Sequence, residues 1–204
     1  VQRQAGLIAR DTSDLKRVFS WVALGPALSN TIAPVVVGLL IDHVGFRAAF
    51  GFAVLLPLIA AVATRRVPVL PITQPAHDAR SSWRSALDLL RLPMLRNVLL
   101  VNVAMAAAWD AHSFTVPVVG HAQGFSAAAI GVVLSSFAVA ATAVRVLISA
   151  FAHRLKESSA LMAALTLCTV TLFAYPWLPG AFGLGGMMLG SALLGVALGS
   201  VQPM

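Results

Sequence analysis

The sequence predicts an all-α fold: a polytopic bundle of membrane-spanning helices. Of its 204 residues 59% are hydrophobic and 10% charged, with a mean hydropathy of +0.88, where ordinary soluble domains carry roughly a quarter charged residues. The polar residues are confined to short blocks. Between them lie apolar runs approaching the roughly 20 residues that a helix needs to cross the hydrocarbon core. The runs are continuous, without the polar–apolar alternation over about ten residues that marks barrel strands.

Six runs are expected to cross. The first, Trp21 to Ile41, is uncharged but interrupted by Gly25-Pro26 and Pro34, with Ser29, Asn30 and Thr31 between. Each proline frees a backbone carbonyl that nearby polar side chains can satisfy, so this helix is kinked, either statically or as the wall of a moving cavity. Ala48 to Thr64 follows a short turn. The third run, Asn97 to Val119, holds Asp110 and His112. The fourth, Ser126 to Val144, belongs to a helix on which Ser135, Thr142, Arg145 and Ser149 share one face. Such a stripe faces protein or water, or Arg145 simply snorkels to the surface. Ser158 to Trp177 contains the single cysteine, Cys168, which excludes a disulfide framework. The last run, Ala181 to Val201, pairs Gly186 with Gly190 and Gly195 with Gly199, the four-residue spacing of closely packed helices. Its Gly183-Leu184-Gly185-Gly186 is no phosphate loop, because no Lys-Ser or Lys-Thr follows.

The formal net charge of +7 reads as a topology signal. All but one of the 14 Lys and Arg residues fall before the first run, between the second and third, or around the fourth-to-fifth turn; Arg47 is the exception. These alternate connections are therefore cytoplasmic by the positive-inside rule, and no nucleic-acid partner is needed to explain the charge. The chain divides into 1–64, two helices with a cytoplasmic leader; 65–96, a cytoplasmic middle loop; and 97–204, four helices. Within the loop, Trp83, Leu87 and Leu90 share a face beside Arg84 and Asp88, the pattern of an amphipathic surface helix or of a partly helical linker. The five histidines are scattered and no nucleophile, metal or cofactor motif is present. An enzyme is not expected, nor a cofactor.

Residues 24 to 50, LGPALSNTIAPVVVGLLIDHVGFRAAF, resemble the fifth helix, outer turn and start of the sixth in bacterial transporters of the major facilitator superfamily. There a G-P-x-x-G-G signature ends one helix and G-[WF]-R-x-x-F opens the next. Pro34 and Gly38 stand at signature positions, with Ala33 and Val37 replacing two glycines; Asp42, Gly45, Phe46, Arg47 and Phe50 fit the turn. Residues 121 to 145, HAQGFSAAAIGVVLSSFAVAATAVR, are similar to the family's seventh-to-eighth turn and eighth helix. In the next turn Arg154 is retained, while Ser149, His153 and Lys156 replace other motif residues.

The resemblance maps the six runs onto helices five to ten of twelve, so the chain is expected to lack the first four and last two helices and not to transport alone. It implies secondary active transport of a small molecule by alternating access, proton-coupled, in a bacterial inner membrane. Its partners would be the lipid bilayer, the solute, protons and the remaining helices. The alternative is a non-transport scaffold or regulator. Pro34, Gly38, Asp42, Gly45, Arg47 and Arg154 are the structural or gating candidates.

Asp110 is the leading site candidate. It lies about 14 Å below the outer end of its helix and Arg145 about 28 Å down the next, too far apart for a salt bridge. His112 is roughly 200° around the helix from it. Asp110 is then protonated, hydrated in a cavity, or paired to a helix outside this chain. Asn102, Trp109 and Ser113 fall on a neighbouring stripe and are expected to line the same cavity; His112 and Arg145 complete the proton or substrate candidates.

Overall fold

A computed structural model describes residues 12–65, 91–151 and 157–201. Six α-helices build them: α1 (Thr12–His43), α2 (Phe46–Thr64), α3 (Pro93–Ala122), α4 (Ala127–Phe151), α5 (Glu157–Ala174) and α6 (Leu178–Val201). No strand occurs among the described residues. The expected runs recur with shifted ends. α1 starts before its apolar run because the helix continues through good helix formers such as Leu15, Lys16 and Arg17. α3 starts at Pro93, whose fixed φ suits the first helical position, after an extended Leu92. The amphipathic segment of the middle loop and Arg154 lie outside the described residues.

Against the six crossings expected, four helices among the described residues are long and apolar enough to span: Leu24–His43, Phe46–Thr64, Ala127–Ile148 and Leu178–Val201. α3 has 30 residues, or about 45 Å, but Asn97, Asn102, Asp110, His112 and His121 dilute its apolar character. The apolar part of α5, Ser158–Ala174, is short. The surface is lipid-like: Phe50, Phe114 and Phe173 are each at least 70% exposed, an arrangement that water would penalise and hydrocarbon does not.

α6 is the hub, packed along α4 and α5, while α4 also packs against α1; α2 touches only α1 among the described helices, and α3 leans lightly on α4 and α6. The core is Val133 and Phe137 of α4, Val116 of α3, Cys168 of α5, Tyr175 of the following turn, and Met187, Leu194, Ala197 and Leu198 of α6. The spacing of the glycines in α6 sets these contacts. Gly195 abuts the Phe137 carbonyl and Ala140, and Gly199 abuts Ala141 and Val144, all on α4. Gly190 meets the Tyr175 ring. Gly186 instead faces its own helix's first turn, because the backbone leaves helical geometry at Gly183 (φ 55°, ψ −136°) and brings the Leu178 carbonyl against it.

The α3–α4 turn is a Schellman closure: Phe125 N–H donates to Gly120 O at 3.0 Å and Gly124 N–H to His121 O at 2.9 Å. The left-handed residue that this requires is Gly124, φ 77°. Gly45 at φ 99° plays the comparable part between α1 and α2.

Candidate functional site

α1 crosses α4 where both lack side chains. A Cβ on Gly38 would strike the backbone of Ala127 and Ala128, and one on Gly131 would strike the Pro34 carbonyl. With the backbones this close, polar groups cross the seam directly. Ser135 Oγ, largely buried, donates to the Thr31 carbonyl at 2.6 Å. At the end of the seam the Asp42 carboxylate accepts the N–H groups of Ala127 (2.9 Å) and Ala128 (2.8 Å), and Ser126 Oγ accepts that of Ala129 (3.2 Å). These are unsatisfied donors of the first turn of α4, and a carboxylate complements the positive end of the helix dipole. Gly45 and Arg47 lie just beyond, in the turn and at the start of α2, with Arg47 exposed.

Beside the seam lies a cavity of about 190 Å³ between α1, α3 and α4. α1 contributes Ser29, Asn30 and Pro34, and α3 contributes Trp109, His112 and Ser113 opposite Phe137 of α4. Pro34 lacks the N–H that would engage the Asn30 carbonyl, leaving an acceptor at the cavity's edge. The far wall is aromatic. Trp109 meets Phe137 edge-on at 4.5 Å between ring centroids, and His112 stacks on Phe137 at 4.7 Å.

A second cleft of about 470 Å³ lies between α3 and α6, lined by Asn102, Met105, Trp109, Asp110 and Leu198. Asp110 is exposed there. Asn102 and Trp109 share that cleft with it. Ser113 does not: it lines the cavity between α1, α3 and α4 instead, and its hydroxyl donates to the Trp109 carbonyl at 3.0 Å. Arg145, partly buried on α4, lines neither space.

His112 sits apart from Asp110, 3% exposed. Its Nε2 lies 3.4 Å from Ser191 Oγ, which lies 3.0 Å from Tyr175 Oη, and Tyr175 Oη donates to the Met187 carbonyl at 3.2 Å. Ser191 and Tyr175 were not singled out from the sequence. One polar residue among glycines and the only tyrosine at a helix end carry no local periodicity, although a serine in a lipid-sized run was a usable hint.

The model of the Major Facilitator Superfamily matches residues 5–204. The chain belongs to the major facilitator superfamily. It is a multi-pass integral membrane protein of a family whose members transport small solutes rather than catalyse reactions. No curated protein and no solved structure matches it.

Proposed function

We propose that this chain is the middle of a secondary transporter, helices five to ten of a twelve-helix major facilitator superfamily protein of a bacterial inner membrane. Residues 1–64 belong to one half and 97–204 to the other, with 65–96 joining them in the cytoplasm. The halves rock about the α1–α4 seam, carrying a small solute by alternating access at the expense of a proton gradient.

The observation that supports this most is the closed outer end of the seam. At the Asp42 end, which the positive-inside rule assigns to the outside, backbones touch and a carboxylate grips the start of α4. A cavity lined from both halves lies deeper along the seam. A tight outer end above a shared cavity suits a transporter that closes on its outer side. Pro34 and Gly38 allow the close approach, Asp42 fastens it, and Asp110 with Asn102 offers polar groups to the solute or proton from the neighbouring cleft.

The test is solute accumulation by the full-length protein in vesicles under an imposed pH gradient, screened over a panel of radiolabelled small molecules. Accumulation of at least one that collapses with a protonophore is expected. Accumulation indifferent to the gradient would contradict proton coupling, and none at all would contradict transport. Asp110→Asn is expected to abolish coupling or recognition while leaving membrane insertion intact.

A further inference from the structure

We infer that the buried chain His112–Ser191–Tyr175–Met187 is a proton-binding site, with His112 Nδ1 the atom that takes the proton; this rests on the proton-coupled reading above. Each hydroxyl has one hydrogen to give. Tyr175 Oη spends its own on the Met187 carbonyl. Its contact with Ser191 must then be filled by the Ser191 hydrogen, so Ser191 Oγ in turn accepts from His112 Nε2–H. The direction of the chain therefore fixes the neutral tautomer as Nε2–H and leaves Nδ1 with a lone pair, for which no hydrogen-bond partner occurs among the described residues.

His112 lines the cavity between α1, α3 and α4 and also a space of about 390 Å³ bounded by Thr115, Leu172, Tyr175 and Leu194. It thus stands between two compartments. The groups facing it are Phe137 from α4, Tyr175 from the α5–α6 turn and Ser191 from α6, with neutral Ser29 and Asn30 across the cavity on α1. No carboxylate or cation lines either space among the described residues.

When a proton from cavity water joins Nδ1, the imidazolium gains one positive charge. Nε2–H then becomes a charge-assisted donor, and the two hydroxyls pass that polarisation to the Met187 carbonyl without any heavy atom moving. With no counter-ion beside it, burial opposes that charge, and the charge-assisted hydrogen bond offsets part of the cost. Asp110, in its separate cleft, is left free for the solute.

The test is nitrogen NMR of histidine-labelled full-length protein in bilayers, with the His112 signals identified by their loss in His112→Gln. The Nε2–H tautomer is expected at high pH and the doubly protonated ring once the pH is lowered far enough. In Tyr175→Phe the chain is cut, Ser191 is released to donate to Nε2, and the Nδ1–H tautomer should appear; Ser191→Ala should likewise lose the single-tautomer pattern. A wild-type Nδ1–H tautomer, a ring that never takes a second proton, or variants with unchanged tautomers would each overturn the assignment. The outcomes separate from those of the vesicle experiment. Gradient-driven uptake with a silent His112 sinks this site alone, whereas a responsive His112 without gradient-driven uptake sinks the coupling and leaves the site.

Discussion

The α4–α6 and α1–α4 contacts use the same device, glycine against a neighbouring backbone, in opposite settings. Along α4–α6, Gly195 and Gly199 sit among Leu194, Ala197 and Leu198, all at most 3% exposed. Along α1–α4, Gly38 is the one buried residue among the described side chains of α1, and the crossing ends in the exposed carboxylate of Asp42. Parting the first pair would forfeit close packing along its length, since dispersion contacts are what hold helices together in lipid. Parting the second loses the glycine contacts at Gly38 and Gly131 and the Ser135–Thr31 bond, and exchanges the Asp42 bonds for bonds to water at little net cost. On the proposed alternating-access reading, the first seam belongs to a rigid body and the second is the one that opens.

Three substitutions test this contrast. The largest effect is expected from Gly195→Leu, which drives a side chain into the Phe137 carbonyl. It should cost about 3 kcal/mol, the upper end of overpacking penalties, seen as a lowered melting temperature of the detergent-solubilised protein. Gly38→Leu creates a similar clash across the other seam, yet should barely move the melting temperature. Instead α1 and α4 should separate at that end, with cross-linking between Ile41→Cys and Ala128→Cys, in a Cys168→Ser background, falling severalfold. If Gly38→Leu destabilised the protein as much as Gly195→Leu, the two seams would be equivalent and the contrast would be lost. Smallest is Ser135→Ala, which removes one interhelical bond worth about 0.6 kcal/mol. It should weaken the closed seam by about threefold in the same cross-linking measurement.

Much of the bundle was legible because lipid imposes a length and a composition on each helix. The turns were legible too, since Gly45 and Gly124 stand where left-handed backbone is needed. What sequence could not supply was which face meets which neighbour. Ser135 belongs to the polar stripe of α4, but only the fold shows that it bonds Thr31, 104 residues away. The chain from His112 to Ser191 spans 79 residues and joins three elements through single side chains, so it leaves no period to read. Asp110 attracted attention as a charge in an apolar run, whereas His112, neutral and less conspicuous, is the one that the fold buries. Ser113 lines the cavity towards α1 and α4 rather than the cleft of Asn102 and Asp110, a division that helical angle alone does not show.

The most direct test of the moving seam is the distance between spin labels at Val44→Cys and Gln123→Cys, exposed positions flanking the Asp42 end, in the full-length Cys168→Ser protein in bilayers. Two distance populations are expected, a shorter one with Asp42 seated on α4 and a longer one with the seam open. Their ratio should change with pH, and Asp42→Asn should enrich the longer. A single short distance, unaltered by pH and by Asp42→Asn, would contradict the account.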